Sequence, residues 1–210
     1  MTIKQIEDLF HSLPINYKTK DVDRLNKRLI KEKQDVSCLK DLSLGSYFYH
    51  RTYFQVSLGQ ILTYEDQYKF IEENHLLLND WWHVDQLTQF IKKVPLEYAF
   101  KKALIYINDP HPFLRRWGYV QFIPTLVKEK EAFDLIIKLF KDDDHYYVQM
   151  AEAWLISYLA IYHGERVLDY LNEQTLNYNI IGKAIQKSLD SFRIDNTLKE
   201  KIKQIRKRYK

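Results

Sequence analysis

Two neighbouring tryptophans stand beside a carboxylate in the segment NDWWHVDQL, residues 79–87. The whole chain of 210 residues holds only 4 tryptophans, so this pair is uncommon. On an α-helix, Trp81 and Asp85 are four residues apart and lie on one face. An electron-rich ring above a fixed negative charge suits a cationic ligand. The alternative is structural, with one tryptophan in the core and Asp85 a solvated surface acid.

Helical periodicity runs through nearly the whole chain. Apolar residues recur at i, i+3 and i+4 in LEYAFKKALIYI (96–107) and again in IIGKAIQKSLDSF (180–192). With 5 Gly and 5 Pro, the chain has few of the turns that an all-β fold of this length needs. The pattern predicts an all-α fold with helices near residues 2–12, 19–34, 46–61, 64–78, 80–93, 96–107, 112–127, 131–141, 145–162, 165–173, 178–191 and 195–208.

Two segments align without a gap, DPHPFLRRWGYVQF (109–122) and DDHYYVQMAEAWLI (143–156), at an offset of 143 − 109 = 34 residues. Each segment opens with an acidic helix-start signal and continues into an amphipathic helix. A period of about 20–50 residues is typical of stacked repeats. The register therefore predicts an α-solenoid of HEAT-like repeats, built from antiparallel helix pairs with a concave face, as a single domain over residues 1–210.

The repeat register links the Trp–Asp pair to the two later segments. When the segments are shifted by one repeat, Trp81, Asp85, Arg116 and Trp154 fall at similar phases on equivalent helices. Equivalent faces of a solenoid line one continuous surface. We therefore expect these four side chains to converge on the concave face, with Lys and Arg clustered along it.

Three segments, taken in order and at their spacing, resemble a known family: DWWHVDQL (80–87), PFLRRWGYV (112–120) and YYVQMAEAWLISYL (146–159). They are similar to the DNA alkylation repair enzymes built from HEAT-like repeats, which are DNA glycosylases acting on alkylated purines. The resemblance runs from roughly residue 75 to the end of the chain and includes the closing pattern NIIGKAIQKSLDSFRI (179–194).

The resemblance implies a role for each matched residue. Asp85 resembles the catalytic acid, and Trp81 and Trp154 resemble the aromatic residues that hold the cationic lesion. Arg116, the second of a pair with Arg115, resembles the contact to the DNA backbone. Because an N3- or N7-alkylated purine already carries positive charge, a carboxylate near the sugar need only stabilise the charge that develops there. The implied partner is an alkylated or distorted DNA duplex, and no metal or cofactor is implied.

The sequence departs from the resembling enzymes in its N-terminal part. Those enzymes carry N-terminal helices that press on DNA, and residues 1–45 show no matching aromatic and basic contacts. Distorting a duplex to present a lesion to Trp81 and Trp154 is energetically costly. We therefore expect excision of N-methylpurines to be weak or absent, with binding retained for distorted or branched DNA.

Two other functions remain compatible with the same residues. A non-enzymatic binder of distorted or branched DNA would keep the fold and the concave face without base excision. A protein–protein scaffold is a frequent role of HEAT arrays. A steep fall of affinity with salt would argue against the scaffold, because phosphate contacts produce it.

Composition limits the remaining classes of function. Hydrophobic residues make up 46% and charged residues 29%, which is typical of a globular protein. The single Cys38 cannot form an internal disulfide, which is compatible with a reducing cytoplasm. The sequence shows neither a signal-peptide pattern nor an apolar run long enough to span a bilayer. We therefore expect a cytoplasmic monomer without a membrane partner, whose net charge of +4 permits DNA binding without requiring it.

Several other reactive or basic residues have structural interpretations. Trp117 is expected in the core, and His83 is expected at the surface. His111 and His145 are expected to open helices, because no third ligand stands at zinc spacing. The basic tail KEKIKQIRKRYK (199–210) suits either a phosphate contact or a helix C-terminus.

Overall fold

The computed structural model describes residues 1–173 and 176–208, and this part of the chain contains helices and no β-strand. The predicted all-α class is therefore confirmed. No helix in the described part is both long and apolar enough to cross a membrane. The last two residues of the predicted basic tail, 209–210, lie outside the described residues. The α-helices are α1 (Ile3–His11), α2 (Thr19–Lys31), α3 (Tyr47–Gln60), α4 (Tyr64–Glu73), α5 (Trp81–Asp85), α6 (Leu96–Tyr106), α7 (Pro112–Val120), α8 (Ala132–Ile136), α9 (Tyr146–Tyr162), α10 (Gly164–Asn172), α11 (Tyr178–Asp190) and α12 (Asn196–Arg208).

Each predicted helix has a counterpart in the structure, but α4, α5, α7 and α8 each end at least five residues earlier than the periodicity predicts. In place of one helix over 80–93, α5 makes a single turn and a 3-10 helix follows it. At this point side chains form hydrogen bonds with backbone groups that would otherwise pair within a continuing helix. The Thr88 hydroxyl donates to the Asp85 carbonyl at 2.8 Å, and the Lys92 N–H donates to Gln67 Oε1 at 2.7 Å. Such bonds compete with the helical ladder and end it.

The chain divides into two compact units, Met1–Lys93 and Val94–Lys210. In the first unit α3 is the central helix, and its buried residues are polar as well as apolar. Asn26 of α2 satisfies two of them, because its amide donates to Gln55 Oε1 at 2.7 Å and its carbonyl accepts the Thr52 hydroxyl at 3.0 Å. A buried polar group without a partner would be destabilising. These bonds therefore specify how α2 and α3 pack together.

In the second unit α9 is the central helix. It packs against α7 on one side and α11 on another, while α6 packs on α7 and α12 packs on both α10 and α11. Helices layered in this way are typical of helical-repeat proteins. Trp117 lies in this core with no exposed surface, as the sequence predicts. The concave face expected from the repeat register would involve both units and stays a prediction.

The 34-residue register is visible at the starts of α7 and α9. The His111 N–H donates to Asp109 Oδ1 at 2.8 Å, and the His145 N–H donates to Asp143 Oδ1 at 2.8 Å. The two histidines are the N-cap residues, with φ and ψ of −81° and 115° at the first and −80° and 120° at the second. The alignment is thus confirmed at these two helix starts, and both histidines open helices as predicted.

A related side-chain turn lies at the start of α11, where the accepting residue is the N-cap itself rather than the residue two positions before it. Asn177 follows Asp143 by one further period (177 − 143 = 34), and its side-chain oxygen accepts the Asn179 N–H at 2.8 Å. An asparagine forms this turn as readily as an aspartate does.

Candidate functional site

Trp81 and Asp85 are the first and last residues of α5, so they share one helical turn as predicted. The turn begins at Asp80, whose side-chain oxygen accepts the Trp81 N–H at 2.6 Å. Trp81 is 46% exposed and Asp85 is half-buried. The indole of Trp81 is therefore accessible to a ligand beside the carboxylate.

Trp82 is the structural member of the tryptophan pair. Its ring centroid lies 4.6 Å from that of Tyr47, 5.1 Å from that of His50 and 3.9 Å from that of His83. Trp82 is half-buried rather than fully in the core, and the ligand-binding role expected of Trp81 stays a prediction. Trp82 packs against other aromatic rings, and Trp81 faces solvent.

His83 of this turn stacks on His50 of α3, with ring centroids 3.7 Å apart and planes 8° from parallel. His83 is only 4% exposed, so the prediction of a surface histidine is wrong. The ring is buried because it lies on His50 and because its Nδ1 accepts the Asn79 N–H at 3.1 Å. His50 in turn bonds through Nε2 to the Leu77 carbonyl at 3.1 Å and through Nδ1 to the Gln86 amide at 2.7 Å.

Burial keeps this histidine stack uncharged. It lowers the pKa of His50 to about 3, and the neighbouring His83 lowers it in the same direction. Burial also lowers the pKa of His83 to about 4, although Asp80 acts against this shift. At neutral pH the two rings therefore support the α5 turn as neutral groups.

Arg51 of α3 ties the segment after Asp85 to α2. Its guanidinium donates to both carboxylate oxygens of Asp23, at 2.6 and 3.0 Å. The same group donates to Gln86 Oε1 at 3.4 Å and to Gln89 Oε1 at 3.1 Å. Because Gln86 follows Asp85 directly, Arg51 is a positioning residue for the turn. Sequence reasoning missed it, since no local pattern distinguishes a buried arginine from an exposed one.

Arg115 lies on α7 in the second unit, and protein groups already accept its hydrogen bonds. It donates to the two carboxylate oxygens of Asp143 at 2.7 and 3.1 Å, and to the carbonyls of Asp109 and Pro110 at 3.0 and 3.1 Å. The hydrogen bonds to the Asp143 carboxylate raise the pKa of Arg115 above its ordinary value. Arg115 thus joins the starts of two successive repeats.

Arg116 is 4% exposed, and its Nη1 donates to the Tyr147 carbonyl at 2.6 Å. This bond ties α7 to the first turn of α9. The DNA-backbone contact predicted for Arg115 and Arg116 stays a prediction. Their contacts within the protein leave a phosphate little accessible surface on either residue.

Trp154 lies in the middle of α9 and is half-buried. It belongs to a row of side chains at i+4 spacing, and none of them is fully buried. Its ring meets that of Tyr158 edge-on, with centroids 5.9 Å apart. The i+4 spacing of these aromatic residues is visible in the sequence, but the resemblance gives a role only to Trp154 among them. We name this row the α9 ridge; its members are Tyr146, Met150, Trp154, Tyr158 and Tyr162.

Glu152 is a carboxyl group on α9 with no exposed surface. The Lys141 N–H donates to its Oε1 at 3.3 Å. Burial raises the pKa of Glu152 to about 8, so this group is mostly protonated at neutral pH. Within residues 1–173 and 176–208, no three His, Cys, Asp or Glu side chains are grouped so that they could hold a metal ion.

Comparison with known protein families gives a match to the family described as DNA alkylation repair enzyme, over residues 17–187. No curated protein and no solved structure shows a significant match. The matched range includes the α5 turn, the arginine pair and Trp154, which are the residues that carried the resemblance in the sequence. Because the match covers most of the chain, the protein belongs to the DNA alkylation repair enzyme family.

Proposed function

We propose that this protein binds DNA containing alkylated bases and that the α5 turn contacts the lesion. Family membership supports a role in DNA repair. The observation that carries the finer proposal is the exposed indole of Trp81 on the same turn as Asp85. An N3- or N7-alkylated purine is cationic and suits both an indole face and a carboxylate. A normal base lacks this charge and would gain less from the same site.

In this proposal Asp85 supplies the electrostatic part of base excision. When the glycosidic bond breaks, its electron pair leaves with the cationic base, which departs neutral and needs no proton. Positive charge then grows on the sugar, where a fixed carboxylate stabilises it. Water adds to the sugar carbon and releases its proton to the surrounding solvent, which completes hydrolysis. Trp81 and Trp154 are assigned to holding the lesion.

Rigid support of the α5 turn favours this role. His83 of the turn stacks on His50 with both rings neutral, and the residue after Asp85 is bonded to both His50 and Arg51. A displacement of about 1 Å in a catalytic group can lower a rate by about 10²-fold. Contacts that hold the turn in place therefore matter to its chemistry.

Base release tests the enzymatic part of the proposal. N-methylpurine DNA is incubated with the wild type or with Asp85→Asn, and free 7-methylguanine and 3-methyladenine are measured. We expect the substitution to lower the rate about 10²–10³-fold, the usual loss for one electrostatic stabiliser. Asp80→Asn is the matched control, because it removes the same charge at the start of the same turn while asparagine still caps the helix.

Each outcome of this experiment points to a different function. Equal release by the wild type and Asp85→Asn would remove the catalytic role from Asp85. DNA binding without base release, which the sequence led us to expect, would indicate a non-enzymatic binder of distorted DNA. If the wild type shows no salt-dependent affinity for DNA, the DNA partner is refuted and a protein–protein scaffold is favoured.

A further inference from the structure

Arg193 lies between α11 and α12 and is held by two aromatic rings. Its guanidinium carbon is 5.3 Å from the ring centroid of Tyr158 and 5.5 Å from that of Tyr162. It also donates a hydrogen bond to the Tyr162 hydroxyl. These two tyrosines are the last members of the α9 ridge. Arg193 therefore adds a cationic group to the end of an aromatic row.

Arg193 differs from five other described arginines in that its charge is not paired with a carboxylate of the described residues. It makes no ion pair within the described residues, and its side chain is exposed. One of its five N–H groups is directed to Tyr162, which leaves donors for an external anion. By contrast, five arginines each pair with a carboxylate: Arg24, Arg28, Arg51, Arg115 and Arg166.

Two carboxylates line the same hollow of about 270 Å³ as Arg193, and both are engaged elsewhere. Glu165 accepts a hydrogen bond from Lys201 Nζ at 2.6 Å. Asp195 Oδ1 accepts the Leu198 N–H at 2.9 Å. The positive charge of Arg193 is therefore available to a ligand although acidic residues lie nearby.

We propose that Arg193 binds a phosphate of the DNA strand that carries the lesion, while the α9 ridge stacks against neighbouring sugars or bases. A guanidinium matches a phosphate with two parallel hydrogen bonds. Aromatic side chains stack on bases of any sequence. Because Tyr158 and Tyr162 already hold the guanidinium, little conformational freedom is lost on binding. The proposal rests on the proposed function, since it names a strand contact made by the same protein.

The distance of Arg193 from Trp154 indicates which phosphate it reaches. The Trp154 and Tyr158 ring centroids are 5.9 Å apart, and Arg193 Cζ is 5.3 Å from the latter. The guanidinium therefore lies no more than about 11 Å from the Trp154 ring, the sum of those two distances. Successive phosphates of one strand advance about 3.4 Å along a duplex. The contacted phosphate should thus fall within about three nucleotides of the base at Trp154.

Salt-dependent binding tests the charge contact. Fluorescence anisotropy measures the affinity of the wild type and Arg193→Ala for a duplex with one stable N-alkylpurine analogue. Losing one phosphate contact should reduce the slope of log K against log salt by about 0.9, which corresponds to about eightfold weaker binding at 0.1 M salt. Arg166→Ala is the matched control: this arginine also stacks on a ring, that of Phe133 at 4.2 Å, but pairs with Asp134. It should bind like the wild type.

Replacing one phosphate at a time with an uncharged analogue locates the phosphate that Arg193 contacts. Duplexes are prepared with one methylphosphonate at successive positions, and each is bound by the wild type and by Arg193→Ala. At the contacted position, the neutral phosphate should weaken the wild type by the same factor as the substitution, and should not weaken Arg193→Ala further. We expect this position within about three nucleotides of the lesion.

The failures of the two proposals can be told apart. If the wild type binds DNA while Arg193→Ala shows unchanged affinity and salt slope, this assignment is overturned and the proposed function stands. A phosphate effect that persists in Arg193→Ala at every position also overturns the assignment. If the wild type shows no salt-dependent DNA binding, both proposals fall. Circular dichroism of Arg193→Ala checks the fold, and the phosphate scan of the wild type needs no variant.

Discussion

The buried His50–His83 stack should make the protein sensitive to acid in a way that one substitution can isolate. The pKa of His50 is about 3 in the folded chain, against about 6.5 for an unfolded histidine. Because the folded pKa is the lower one, the unfolded state binds the proton more readily between these values. The contribution of His50 to the free energy of unfolding is therefore at its full value above about pH 6.5 and decreases as the pH falls toward 3.

The size of this loss follows from the two pKa values. Lowering the pH from 7 to 5 should remove about 2 kcal/mol of the free energy of unfolding through His50 alone. His83 acts in the same direction. Glu152 acts oppositely, because its pKa is raised to about 8 and its folded form therefore holds the proton more tightly. The wild-type profile combines these effects, so the informative quantity is the difference between a variant and the wild type.

His50→Gln keeps a donor and an acceptor for the Leu77 carbonyl and Gln86 but does not titrate. Urea denaturation at pH 7, 6 and 5, followed by circular dichroism, gives the free energy of unfolding of each protein. The variant should be less stable than the wild type at pH 7, and its deficit should shrink by about 2 kcal/mol at pH 5. Glu152→Gln should show the opposite trend, with an advantage of about 3 kcal/mol at pH 7 that shrinks on acidification.

The two variants control for each other, because a general effect of acid would move both differences the same way. A stability difference between His50→Gln and the wild type that stays constant from pH 7 to pH 5 would refute the reasoning. His50 would then not be held neutral by burial, and the α5 turn would not be supported by an uncharged stack.

Two further substitutions test the packing that supports the site. Arg51→Met should destabilise the protein by about 3 kcal/mol, because it leaves the partly buried carboxylate of Asp23 without its partner. The control Arg28→Met removes an exposed ion pair and should cost less than about 1 kcal/mol. Equal losses of stability for the two variants in urea denaturation would contradict the role of Arg51. Gly118→Ala should lower the thermal stability by about 1 kcal/mol, since overpacking exceeds the gain in helix propensity: its Cβ would lie 2.9 Å from Ile107 Cγ2. Gly182→Ala, in open space on α11, should instead raise stability by about 0.5–1 kcal/mol, and a gain for Gly118→Ala would be the contrary result.

The helices and the repeat could be predicted from the sequence because their determinants are local. Amphipathic spacing and helix-start residues lie within a few positions of the backbone they organise. The turns at Asp109 and Asp143 are closed by hydrogen bonds to residues two positions away, so their 34-residue register was visible in the sequence. The resemblance to the family rests on the same kind of short segment.

The length of α5 could not be predicted, because remote residues decide it. The 80–93 pattern favours one long helix, but Gln67 and Arg51 bond to the segment that follows Asp85. These residues lie 25 and 35 positions away from their partners Lys92 and Gln86. No pattern within the segment encodes such contacts.

Some features of the candidate site were likewise determined by the local sequence, and others only by the tertiary structure. The sequence by itself determined the residue types and the helical turn shared by Trp81 and Asp85. The tertiary structure decided which groups stay accessible, placing His83 in the interior, pairing Arg115 with Asp143 and leaving Arg193 exposed without an ion pair among the described residues. Burial and charge pairing depend on residues far apart in the chain, since 28 positions separate Arg115 from its carboxylate. For that physical reason, the chemistry available to each side chain was decided only by the fold.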